Sequence, residues 1–232
     1  MDMAGKRAII LTSGGLDSSV LAYYVKKNLK INKIRLLFFD YGQKAVEEEL
    51  FCVKNLAKKL KSKLEIIDLK WLGKISTSLI NKGQGGKEEL IKWYVPFRNS
   101  LFLISALAFA ESEFIKTGKE SEIFLGIKYE GLGFKDTTPN FLKEINRLAK
   151  FSQKGKFKII APFVDKEKED IIEFGRKMRV RLDDTYSCYL GGGFARINNK
   201  KLAIHCGKCA GCKARKKGFK FSDVRDISLY KS

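Results

Sequence analysis

What most restricts the fold of this chain is a junction near its start. The short apolar run Arg7–Leu11 leads through Thr12-Ser13-Gly14-Gly15-Leu16-Asp17-Ser18-Ser19 straight into a helical pattern lasting to about Leu29. The pattern then repeats. Ile34–Phe39 reads as a second buried strand, and Ala45–Leu60 as an amphipathic helix with Leu50, Val53, Leu56, Ala57 and Leu60 on its inner stripe. Leu64–Ile67, Ile123–Leu125 and Lys158–Ile160 are further strands, while Ser100–Phe114, Pro139–Phe151 and Lys166–Met178 are helices. Strands alternating with helices predict an α/β fold, a doubly wound, Rossmann-like parallel sheet with helices on both faces. The stretch Trp71–Pro96 lacks periodicity and carries Gly83, Gly85 and Gly86, which makes it a candidate lid.

The loop after the first strand carries chemistry. Gly14 and Gly15 let the backbone approach a ligand closely, and their N–H groups join the free N–H groups that open the next helix. Together with the helix dipole they form an anion site. Ser13 and Ser18 add hydroxyl donors. Asp17 would repel phosphate unless Mg²⁺ bridges the two. The string is neither a Gly-Lys-Ser/Thr phosphate loop nor a Gly-x-Gly-x-x-Gly dinucleotide loop.

Four of the five cysteines fall between residues 188 and 212. Cys206-x-x-Cys209-x-x-Cys212 puts three thiolates on one knuckle, and Cys188, separated from Cys206 by 17 residues, can close a tetrahedron. Four sulfurs with no open position describe a structural Zn²⁺; an iron–sulfur cluster is the rival. The chain therefore divides into residues 1–180 and a small C-terminal zinc-binding subdomain with a helical region, 181–232. Cys52, inside an amphipathic helix, reads as a small buried apolar residue. His205 is the sole histidine and reads as a bystander, so Ser-His and Cys-His catalytic pairs are excluded unless they use it.

No apolar run is long enough to span a membrane, and Met1–Lys6 does not resemble a secretory leader, so the expectation is a cytoplasmic protein. The formal charge is +20, spread mostly over lysines and densest at Lys213, Arg215, Lys216, Lys217 and Lys220. A solvated basic surface explains it, and a protein or nucleic-acid partner is left open.

The Ser-Gly-Gly-x-Asp-Ser string resembles the signature of the N-type ATP pyrophosphatases, the PP-loop superfamily. Four more strings follow in order: Phe39-Asp40-Tyr41-Gly42-Gln43, Tyr94-Val95-Pro96-Phe97-Arg98-Asn99, Tyr186-Ser187-Cys188-Tyr189, and the cysteine knuckle running on to Lys217-Gly218-Phe219. With the loop they are similar to the 7-cyano-7-deazaguanine synthase family of queuosine biosynthesis, over about residues 7–220. The resemblance implies a cytoplasmic homodimer that uses ATP with Mg²⁺ and a structural Zn²⁺. It also implies adenylation of 7-carboxy-7-deazaguanine, displacement of AMP by ammonia, and a second activation that leaves the nitrile. Carried onto this chain, Thr12, Ser13, Gly14, Gly15, Leu16, Asp17, Ser18, Asp40, Tyr41, Gly42 and Asn99 would bind the nucleotide. Asp17, Arg98 and Lys168 would be catalytic, with Lys166 a competing choice to Lys168. Cys188, Cys206, Cys209 and Cys212 would hold the metal. Tyr186–Tyr189 would offer aromatic surface to a flat base, or else pack in the core.

The chain departs from the family pattern at three places. Thr138 stands at an arginine position, Lys128 replaces a small polar residue, and the spacer after Cys188 is long. Those departures leave open a divergent relative that couples a deazaguanine acid to an amine on a protein or tRNA.

Overall fold

The computed structural model describes residues 6–75, 94–129 and 134–231. Five strands form a parallel sheet: β1 (Arg7–Leu11), β2 (Lys33–Asp40), β3 (Lys63–Asp68), β4 (Glu122–Leu125) and β5 (Ile159–Ile160), in the order β3-β2-β1-β4-β5. The central strands are apolar on both faces, as parallel strands covered by helices require. Ala8 and Ile10 face one core with Leu36, while Ile9 and Leu11 face the other with Leu37 and Phe39.

The first core is roofed by α1 (Leu16–Lys27), α2 (Val46–Leu60) and α6 (Lys168–Lys177). The second is roofed by α3 (Lys70–Ile75), α4 (Arg98–Thr117) and α5 (Pro139–Leu148). Each fully buried Leu or Ile here contributes about 1.5–3 kcal/mol. The doubly wound α/β sheet expected from the alternating pattern is the one formed. Strand order reverses between β1 and β4, so the loops leaving these two strands diverge at their carboxyl ends. That crevice is where open α/β sheets take ligands.

Several expectations need adjusting. Trp71–Ile75, placed in a lid, belongs to α3; the 76–93 part of that segment lies outside the described residues, as do 1–5 and 130–133. The long spacer after Cys188 is a hairpin of β6 (Phe194–Ile197) and β7 (Lys200–His205), which β8 (Leu229–Tyr230) joins in parallel. Its turn residues Asn198 and Asn199 both have positive φ, 49° and 60°, the twist that a two-residue hairpin needs. An Asn-Asn pair between alternating residues was the readable signal. Thr138 acts as the N-cap of α5: its hydroxyl accepts the Phe141 N–H at 3.1 Å, with Pro139 at the first helical position. Lys128 pairs with Glu167 at 2.9 Å, at the N-cap of α6. Among the described residues no helix is long and apolar enough to cross a membrane.

The C-terminal segment is locked to the sheet domain. Helix α7 (Ala210–Phe221) carries Arg215 inward at 1% exposure, a correction to its place in the basic cluster. Its guanidinium donates to Leu182 O, Thr185 Oγ1, Ser187 Oγ and Ser228 Oγ, with Asp226 at 3.7 Å. A buried charge is tolerable only when so fully partnered. Lys213, Lys216, Lys217 and Lys220 remain exposed.

Candidate active site

Gly15 caps α1 with extended backbone and no side chain, so no side-chain cap satisfies the helix's first N–H groups. The serines around it are held loosely. Ser18 Oγ lies 3.3 Å from Ser13 N, 3.4 Å from Ser13 Oγ and 3.5 Å from Thr12 Oγ1, and Ser13 Oγ accepts Gly15 N–H at 3.2 Å. Hydroxyl bonds prefer about 2.7–2.8 Å, so these groups are free to turn to a better acceptor. The loop is a ring of underused donors at a positive helix end.

Gly14 takes φ +71°, and a Cβ there would lie 2.6 Å from the Glu49 carbonyl oxygen and 3.0 Å from Cys52 Cβ. Both facts demand glycine. Gly14→Ala is expected to cost more than the ~1–2 kcal/mol of a left-handed alanine, because the overlap adds to it. A thermal melt unchanged from the parent would contradict this. Gly126, after β4, packs on Ser18 less tightly: a Cβ there would lie 3.2 Å from the Ser18 backbone.

Asp17 has two different oxygens. Oδ2 accepts a hydrogen bond from Lys168 Nζ at 2.6 Å, whereas Oδ1 is buried without a partner among the described residues. An orphaned carboxylate oxygen inside an anion-binding loop fits a cation ligand such as Mg²⁺. The structure also separates the two competing lysines: Lys168 reaches the loop, while Lys166 pairs with Asp165 at 3.8 Å at the surface. The Lys168 stem is backed by Gly218 of α7, where any Cβ would collide with it at 2.4 Å.

Across the crevice, Arg98 opens α4 after Phe97, whose φ of 53° is a strained turn conformation. The half-buried guanidinium lies within electrostatic reach of Tyr41, Tyr189 and Asp136. It makes no salt bridge among the described residues. Burial pushes the Tyr41 hydroxyl up to about 12, so it stays a neutral donor. Asn99 donates to the Asp136 carbonyl at 3.2 Å and so braces the segment after β4. Asp40 accepts Gly42 N–H at 3.1 Å and pairs with Lys70 at 3.2 Å, which shapes the turn leaving β2.

The aromatic string splits. Tyr186 is buried, donates to Ile204 O at 3.0 Å, and anchors its N–H on Gly14 O at 2.8 Å, so it packs in the core. Tyr189 is 38% exposed and stays near Arg98. His205 Nε2 accepts Ser187 N–H at 3.1 Å and Nδ1 faces Leu229 O at 3.3 Å, the arrangement of a neutral structural imidazole. Burial pushes its pKa down to about 4. Cys52 is buried in α2, its thiol pushed up to about 12 by desolvation, and is inert.

The sulfurs of Cys188, Cys206, Cys209 and Cys212 all lie within 4.8 Å of one another. Cys209 Sγ lies 3.9 Å from Cys188 Sγ and 3.5 Å from Cys212 Sγ, and it accepts Tyr189 N–H at 3.4 Å; a bound metal requires the thiols in their ionised form. The long hairpin does not prevent Cys188 from closing the set.

The sequence reading missed Glu48 and Glu49. Three consecutive glutamates at a helix start look like a solvated, dipole-favoured terminus. Instead, Glu48 accepts the N–H groups of Gly192 and Gly193 at 3.0 and 2.7 Å. Glu49 turns toward Gln43, which donates to it at 2.9 Å.

Comparison with known proteins matches this geometry to one family. The family model described as queuosine biosynthesis protein QueC covers residues 7–223. A 7-cyano-7-deazaguanine synthase from Methanobrevibacter smithii is 34% identical, spanning 98% of this chain and 99% of that protein. Those from Methanosphaera stadtmanae and Nitratiruptor sp. are 33% and 34% identical, each over 97% of this chain and 98% and 99% of theirs.

Proposed function

We propose, from the premise that this chain belongs to the QueC family of 7-cyano-7-deazaguanine synthases, that it uses ATP to turn 7-carboxy-7-deazaguanine and ammonia into 7-cyano-7-deazaguanine. The observation that carries the reading is the uncapped α1 start, faced by the Lys168–Asp17 pair with its orphaned oxygen.

A carboxylate is a poor electrophile, and AMP is a far better leaving group than oxide. The acid oxygen attacks the α-phosphate, pyrophosphate departs, and ammonia then displaces AMP to give the amide. A second activation at the amide oxygen, with loss of AMP, leaves the nitrile. In our assignment Ser13, Gly14, Gly15, Leu16 and Ser18 hold the departing pyrophosphate with Thr12 beneath them, and Lys168 neutralises its growing charge. Asp17 Oδ1 is the ligand we assign to Mg²⁺, which when bound offsets phosphate charge. Arg98, beside Tyr41 and Tyr189, suits the fork of a carboxylate or phosphate. Asp40, Tyr41, Gly42 and Asn99 shape the nucleotide pocket around these groups.

We assign the cysteine centre to Zn²⁺. Zn–S bonds of ~2.3 Å place tetrahedral sulfurs about 3.8 Å apart; the sulfur contacts here are 3.5 and 3.9 Å. A cuboidal iron–sulfur cluster binds its four thiolates on separate irons, farther apart. Four thiolates leave no open coordination position, so we assign the metal a structural role.

The test is ATP with 7-carboxy-7-deazaguanine, with and without ammonium, read by mass spectrometry. Nitrile formation with one AMP for each activation is expected. Adenylate that accumulates and ignores ammonium would point to a different amine and overturn the reading.

A further inference from the structure

Glu49 is a carboxylate where anions are meant to bind. It projects from the first turn of α2, whose backbone presses on Gly14, and it sits within the electrostatic reach of Arg98 and Tyr41 across the crevice. Its residue surface is partly open, yet protein encloses the carboxyl enough that burial pushes its pKa up to about 7. A negative group in this position opposes binding of a triphosphate and an acid. It is useful there only to a cation or a proton donor.

The hydrogen bonding narrows which one. Oε2 is occupied by the Gln43 amide, and Gln43 is itself fixed, accepting Tyr41 N–H at 2.9 Å and donating to Phe39 O at 3.1 Å. Among the described residues no hydrogen bond reaches Oε1. One free oxygen suits a single strong donor. The two-donor edge of a purine-like base would need both. The charged and titratable neighbours are Arg98 from α4, Tyr41 from the turn after β2, Glu48 and Cys52 from the same helix, and Cys188 from the knuckle. Glu48 is already committed to two backbone N–H groups.

We propose that Glu49 captures ammonium and takes its proton, so that the amine is released inside the crevice between Gly14 and Arg98. This rests on the synthase reading above. At neutral pH ammonia exists almost wholly as ammonium, which has no lone pair for attack. Proton transfer to Glu49 gives neutral ammonia and a carboxylic acid. The nitrogen lone pair forms the C–N bond at the acyl carbon, the C–O bond to AMP breaks, and AMP leaves with that electron pair. The surplus proton on nitrogen passes to solvent, and Glu49 ionises again for the next turnover.

Glu49→Gln tests this, since glutamine keeps the acceptor for Gln43 and loses the base. Acid-dependent exchange of pyrophosphate into ATP reads adenylation, and amide formation at varied ammonium reads the amine step. At neutral pH kcat/KM for ammonium is expected to fall about 10²-fold while exchange changes far less. The deficit should shrink as pH rises toward the ammonium pKa, because free ammonia then needs no base. Equal losses in exchange and amide formation, with a raised KM for the acid, would assign Glu49 to substrate binding and overturn the proposal. An unchanged ammonium dependence would overturn it as well. Should Glu49→Gln melt early, Glu49→Asp serves instead, with a smaller loss at neutral pH and the parent's pH slope expected. Absence of acid-dependent exchange in the parent would sink the synthase reading itself. Exchange without a Glu49 effect would sink only this inference.

Discussion

Asp17→Ala is expected to slow acid-dependent pyrophosphate release by about 10²- to 10³-fold while the fold is retained. Two effects coincide. The substitution removes Oδ1, the buried oxygen with no partner among the described residues, and with it the proposed cation ligand. It also frees Lys168 from its 2.6 Å pair. The freed lysine still attracts phosphate, so nucleotide affinity should fall less than turnover. Asp17 and Lys168 are both partly exposed, and breaking their pair should shift stability little. Stopped-flow release of pyrophosphate beside a thermal melt separates the two effects. Turnover equal to the parent would remove Asp17 from the chemistry, and a collapsed melt would make it structural.

Cys209→Ser should act in the opposite way, through the fold first. Three thiolates hold Zn²⁺ poorly, and a structural zinc contributes directly to folding. The knuckle joins Cys188 to the start of α7, and α7 in turn backs Lys168 through Gly218 and ties residues 182–187 and Ser228 through Arg215. The expected result is loss of zinc, a thermal midpoint lower by on the order of 10 °C, and early proteolysis near α7. Turnover should fall with them, because Lys168 loses its backing. Metal analysis of the parent checks the premise: one zinc per chain is expected. Iron with visible absorbance, or full stability after chelation, would refute it.

Much of this protein could be read directly. Continuous apolar strands alternating with amphipathic helices dictate a parallel sheet, because burial on both faces needs helices above and below. Ser13–Ser18 declares an uncapped helix start, since two glycines between a strand and a helix leave backbone N–H groups bare. The cysteine spacing declares a metal knuckle even across an interrupting hairpin. Each is a local pattern in which neighbours in sequence are also neighbours in space.

Tertiary structure decided whatever depended on side-chain direction. Lys166 and Lys168 are equivalent on paper, and only the packing of α7 behind α6 turns Lys168 toward Asp17. Tyr186 and Tyr189 share one motif, yet one is core and the other borders the crevice. Arg215 counts with the exposed lysines by composition but is the buried tie of the C-terminal segment. Glu47, Glu48 and Glu49 form one acidic run, of which the second clasps a glycine turn and the third faces Arg98. Sequence patterns carry periodicity and spacing, which set elements and their order. The sign and solvation of a charge depend on which groups the fold brings opposite it, and these come from segments tens to hundreds of residues away.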